Sequence, residues 1–155
     1  MSIVKVQGNA SGTGIFTIAS PNSNTDYTLT LPTASLTFAG TNVVQSFTAG
    51  QSGAVSALTD GATITPDFAA ANNFSVTLAG NRTLANPSNM VAGQSGVIKI
   101  TQDATGSRTL AFGSYWDFAA GVAPTLTTTP NAVDILAYYV DSSTNITARL
   151  IGDRK

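Results

Sequence analysis

Few side chains in this chain could carry chemistry. Its only acidic residues are eight aspartates, its only bases are three lysines and four arginines, and it has no Cys, His or Glu. No Ser-His-Asp or Cys-His arrangement can be built from that set, and zinc or iron held by imidazole or thiolate is excluded. A disulfide framework is excluded as well. A Ser–Lys dyad would need Lys5, Lys99 or Lys155, none of which sits in a nucleophile motif, and there is no Gly-x-Ser-x-Gly elbow. Glycoside cleavage needs paired carboxylates. Here Asp26, Asp60, Asp67, Asp103, Asp117, Asp134, Asp141 and Asp153 stand singly, mostly beside turn residues, where an Asp caps backbone N–H groups. No EF-hand loop is present, although a single oxygen-ligated cation on a symmetry axis stays compatible with the sequence. Gly12-Thr13-Gly14 begins like a phosphate loop but lacks the preceding strand, the following helix and the Lys, so it reads as a turn. Ser114-Tyr115-Trp116-Asp117-Phe118 holds the single Trp. Tyr115, Trp116 and Phe118 could anchor a subunit interface, stack on a sugar, or be core with the indole N–H hydrogen-bonded. The expectation is a protein that is not an enzyme and carries no cofactor and no metal.

The elements that must position these residues are strands. Without Glu and with little Lys, the best surface helix formers are missing, while Thr, Val, Ile, Phe and Tyr fill the patterned stretches. The chain is 43% hydrophobic and 10% charged, against about 25% charged in ordinary domains. That is the reverse of a disordered composition. It also suits a surface largely covered by partners, because so few charges would leave a lone monomer poorly soluble. The net charge of −1 provides no basic patch for nucleic acid. No apolar run is long enough to cross a membrane, and the N-terminal residues lack the pattern of a signal peptide. Two regions are expected, an extended N-terminal arm over 1–59 and a β head over 60–155. In the arm, Ile15, Phe16 and Ile18 and the alternating Tyr27, Leu29 and Leu31 mark two short strands that could contact a partner. Pro32 ends the second, and Ala49–Ala54 reads as a joint. In the head, strands are expected near 62–65, 74–78, 96–101, 109–112, 133–140 and 145–151. The segment 133–140 is apolar enough to be buried on both faces, and Asp141-Ser142-Ser143-Thr144 reads as a hairpin loop. Phe68–Ala71 could make one helical turn. The tetrapeptide Gly-Gln-Ser-Gly occurs at 50–53 and again at 93–96, which reads as reuse of turn chemistry. Short strands between turn signals predict an all-β fold, an antiparallel, jelly-roll-like β-sandwich.

Two stretches carry a resemblance. Gly14-Ile15-Phe16-Thr17-Ile18-Ala19-Ser20-Pro21-Asn22 through Thr28-Leu29-Thr30-Leu31-Pro32 resembles a short repeat of bacteriophage tail-fibre and virion-surface proteins. The stretch from Phe74 to the C-terminus resembles a β-rich terminal module of phage fibre and structural proteins. Its matching text includes Leu78-Ala79-Gly80-Asn81-Arg82-Thr83-Leu84, Gly93-Gln94-Ser95-Gly96-Val97-Ile98, the run from Thr101 to Leu110, Tyr115-Trp116 and Tyr138-Tyr139-Val140. The resemblance implies a homotrimer on a virion surface, assembled in the bacterial cytoplasm, with no catalytic residues to transfer. A short arm before one compact head suits a capsid decoration, or cement, protein. Its arm would bind the major capsid protein by strand addition, and many copies on the lattice would supply avidity. The alternative is a short tail-fibre or receptor-binding subunit that recognises host surface glycan.

Overall fold

In this computed structural model the chain is described continuously from residue 49 to 154, and before that at residues 11–15, 17, 22–26, 28, 46 and 47. It divides into two units, Met1–Ser46 and Phe47–Lys155. In the first unit the described residues carry no strand. Ile15 is 92% exposed, and Thr25 donates its N–H to Ser23 Oγ in a bend at 22–25. Phe16, Ile18, Tyr27, Leu29 and Leu31 lie outside the described residues.

The second unit is built from nine strands: β1 Val55–Ala57, β2 Thr63–Ile64, β3 Asn73–Leu78, β4 Arg82–Leu84, β5 Ser95–Gln102, β6 Leu110–Phe112, β7 Trp116–Asp117, β8 Val133–Ser142 and β9 Asn145–Arg154. They form a larger sheet in the order β1-β3-β5-β8-β9-β7 and a smaller one in the order β2-β4-β6. Through β7 the chain alternates between the sheets. Strands adjacent in sequence therefore fall in different sheets, and pairing occurs between every second strand. A chain that passes through the other sheet before returning re-enters in the same direction, which makes those pairs parallel. Thus β1/β3, β3/β5, β2/β4 and β4/β6 are parallel; β7/β9 is parallel too, although β8 between them belongs to the same sheet, and only β5/β8 and β8/β9 are antiparallel among the described strands. The all-β expectation holds, but the antiparallel sandwich is corrected to a short parallel coil of three turns, extended by the β8–β9 hairpin.

Stacking turns in register produces ladders of inward side chains. Phe74, Ile98, Leu136 and Leu150 lie side by side across four strands, and Ile64, Leu84 and Phe112 do so across the smaller sheet. Most of these are at most 2% exposed, with Leu150 and Phe112 half-buried. Full burial of one such side chain is worth roughly 1.5–3 kcal/mol. Next to these ladders stand two buried polar residues, Gln102 and Asp134, each 2% exposed. Gln102 accepts from the Arg108 N–H and donates to the Arg108 carbonyl, at 2.8 and 3.0 Å. Asp134 accepts from the Thr127 N–H and hydroxyl, both at 2.8 Å. A buried polar group without a partner is costly, so the Gln102 bonds tie the β5–β6 loop to the core and the Asp134 bonds tie the β7–β8 loop to it.

β8 alternates instead of being buried on both faces as expected: Asp134, Leu136, Tyr138 and Val140 point inward, while Ile135, Ala137 and Tyr139 lie on the outer face. The Ser142–Asn145 pair closes the expected hairpin. At Phe68–Ala71 there is a single turn, closed by the Ala70 N–H on the Asp67 carbonyl, and no helix. A 3-10 turn at Ala119–Gly121 is the sole helical element among the described residues.

Candidate functional site

Trp116 is core. It is 5% exposed, its indole N–H donates to the Ala85 carbonyl at 3.0 Å, and its edge meets Phe68, Tyr138 and Phe112 with ring centroids 6.3–6.4 Å apart. The parallel β7/β9 pairing turns it inward beside Ile146. Tyr115 and Phe118 are half-buried, and Phe118 packs on Phe112 at 4.6 Å. The Ser114–Phe118 segment therefore closes the core. Tyr138 stacks on Phe68 at 4.6 Å and donates its hydroxyl to the Asn72 carbonyl at 2.7 Å. Burial pushes this phenol up to about 12.

The surface feature with convergent polar chemistry is a groove where β1 crosses to β2. It encloses about 430 Å³. Its floor includes Leu58, Ile64, Ala70 and Phe74. Hydroxyls of Ser56, Thr59, Thr63 and Thr65 and the carboxylates of Asp60 and Asp67 line it. Asp60 is held by a forked pair from Arg82, with Nε at 2.8 Å and Nη2 at 2.6 Å. That hydrogen bonding holds its carboxyl below the usual range. Asp67 Oδ1 accepts from Asn89 Nδ2 at 2.8 Å and the Ala69 N–H at 3.0 Å, which lowers it in the same way. Both are ionised at neutral pH and can accept hydrogen bonds from a hydroxyl-rich ligand. In the sequence Asp60 and Asp67 read as isolated turn residues. Only the coil brings them to one groove, and the threonines of 59–65 were the single local sign of it. A second hollow, of about 580 Å³, is bordered by Phe68, Met90, Val91 and Gln94 and offers mainly apolar contact. Among the described residues no three potential metal ligands stand together, and no helix is long and apolar enough to cross a membrane.

Asp103 is lowered mainly by its bond from Arg108. Because Asp60, Asp67 and Asp103 are all lowered on folding, their contribution is present above the unfolded value of 3.8 and is lost as pH falls through the folded one. Thermal stability is expected to be flat above about pH 5 and to drop below about pH 4. The acid-limb drop should shrink in Asp103→Asn. Scanning calorimetry across that range checks it, and an unchanged acid limb in the variant would count against the assignment.

Comparison with known proteins gives one family. Residues 64–142 match the model described as "Putative phage tail fibre C-terminal domain". The match runs from Ile64 in β2 to the end of β8 and so contains most of the coil and its aromatic core. No curated protein and no solved structure matches the chain. The family speaks for the tail-fibre alternative and lends nothing specific to capsid decoration. With half of its length matched, the chain belongs to the phage tail fibre C-terminal domain family and is a virion-associated structural protein of a bacteriophage.

Proposed function

We propose that this chain serves as a terminal, receptor-recognising module of a phage tail fibre, binding host surface glycan as a homotrimer without cleaving it. The observation that carries the reading is the family match over residues 64–142, which includes Ile64, Thr65, Asp67, Ala70 and Phe74 of the groove, while the groove's side at 56–63 precedes the match. The groove supports it chemically. Sugars present closely spaced hydroxyls on an otherwise apolar ring, and here two ionised carboxylates and several hydroxyl-bearing residues line one groove with Leu58 and Ala70. Cleavage would need one carboxyl kept protonated by a raised pKa, and Asp60 and Asp67 are both lowered instead. The low charge content supports assembly with other copies.

The test is binding of the full chain to purified polysaccharide from the host cell surface, beside Asp67→Asn. Charge-assisted hydrogen bonds are stronger than neutral ones, so the variant should bind roughly tenfold more weakly. No reducing sugar should appear. Equal binding by the variant would remove the groove from the reading, and sugar release would overturn binding without cleavage. Copy number per virion should be a few to a few dozen, and hundreds would restore the capsid-decoration reading.

A further inference from the structure

The larger sheet has one face on the core and one on solvent, and the solvent face is unusually apolar at its centre. On neighbouring strands β5, β8 and β9 it presents Val97, Ile135, Ala137, Tyr139 and Ile151. Tyr139 is 49% exposed and Ile151 53% exposed. Contiguous exposed apolar surface of this kind marks an interaction site. The same face carries Lys99 and Arg149, both exposed. The described ion pairs are Arg82–Asp60 and Arg108–Asp103, so neither Lys99 nor Arg149 has a carboxylate partner among the described residues. At the rim, Asp117 on β7 and Asp141 on β8 are exposed and bound only to neutral groups, Asn145 and Thr147. Asp117 faces outward with Thr147, because their register neighbours Trp116 and Ile146 are buried.

We infer that this face is where copies of the chain meet, the carboxylate rim of one against the Lys99–Arg149 centre of the next. A face with its cations at the centre and its carboxylates at one edge complements a second copy when shifted, either reciprocally about a two-fold axis or head-to-tail. A trimer requires the head-to-tail form, the kind that closes a ring when the rotation permits. Burying the apolar centre supplies affinity, and the charge pattern sets register and direction. The inference deepens the homotrimer reading above and rests on it.

The absence of cysteine makes the test clean. In Lys99→Cys/Asp117→Cys the two positions lie three strand spacings apart within one chain, from β5 across β8 and β9 to β7. That is roughly 14 Å, well beyond the approximately 7 Å limit between Cα atoms for a disulfide. A crosslink must then join two copies. Oxidised double variant is expected to run as covalent multimers on a non-reducing gel, while each single variant stays largely uncrosslinked. Ile151→Asp, a change at an exposed position that should not disturb folding, is expected to raise the dissociation midpoint of the full chain at least tenfold in analytical ultracentrifugation, toward the 15.8 kDa monomer. If wild type and Ile151→Asp form the same oligomer with the same midpoint, the face is wrong although the oligomeric reading stands. A monomeric wild type overturns both. Crosslinking of the double variant that stops at the covalent dimer, or strong crosslinking of Lys99→Cys alone, would replace the head-to-tail contact with a two-fold one and overturn the direction inferred here.

Discussion

Gly96→Ala is expected to destabilise the head by about 3 kcal/mol or more, a large fraction of the total stability of a marginally stable domain. The position does not need glycine for its dihedral angles. It needs glycine for space, since a Cβ there would lie 1.7 Å from the Asn72 carbonyl oxygen and 2.9 Å from the Tyr138 hydroxyl. Those two atoms are hydrogen-bonded to each other. A methyl group would force the turn before β3 away from β5 and leave a buried phenol and a carbonyl without partners. Overpacking and an unsatisfied buried pair act together. The matched control is Gly53→Ala, the last glycine of the other Gly-Gln-Ser-Gly copy. Its Cβ would meet only the mobile end of the Asn73 side chain, at 3.0 Å. That variant should stay within about 0.5 kcal/mol of wild type. Urea unfolding of the two variants checks the contrast, and equal midpoints would refute it.

Trp116→Ala should cost about 3–5 kcal/mol, as expected for deleting a large buried aromatic side chain. Trp116→Phe should cost less, about 1–2 kcal/mol, because it keeps a ring among Phe68, Phe112 and Tyr138 and loses mainly the bond to the Ala85 carbonyl. The accompanying readout is mass in solution. A core tryptophan predicts that Trp116→Phe lowers the unfolding midpoint and leaves the oligomer intact. An unchanged midpoint with dissociated subunits would return Trp116 to the interface.

The Gly-Gln-Ser-Gly pair also shows how legible the fold was. Both copies lead into a strand of the larger sheet, Gly53 two residues before Val55 and Gly96 one residue before Val97, and these two valines both pair with Asn73. The repeat thus stands at the entry to the first and third turns of the coil, offset by one residue, a meaning that four residues could not convey alone. The longer strands β3, β5 and β9 were readable from their alternation, and β8 from its apolar run, which showed a strand but not which face turns inward. β1, β4 and β7, with two or three residues each, were not, since so short a run shows no period and is held in place by its neighbours. Composition by itself determined the all-β class and removed thiolate, imidazole and disulfide chemistry, for it lacks the side chains they need. Pairing direction was decided only in the tertiary structure: two strands on a shared face read the same whether they return directly or through another sheet. The same holds for the groove, because Asp60 and Asp67 become neighbours of one cavity only when β2 swings the chain across the coil. It holds again for Trp116, whose inward direction follows from pairing with β9, some thirty residues later in the chain.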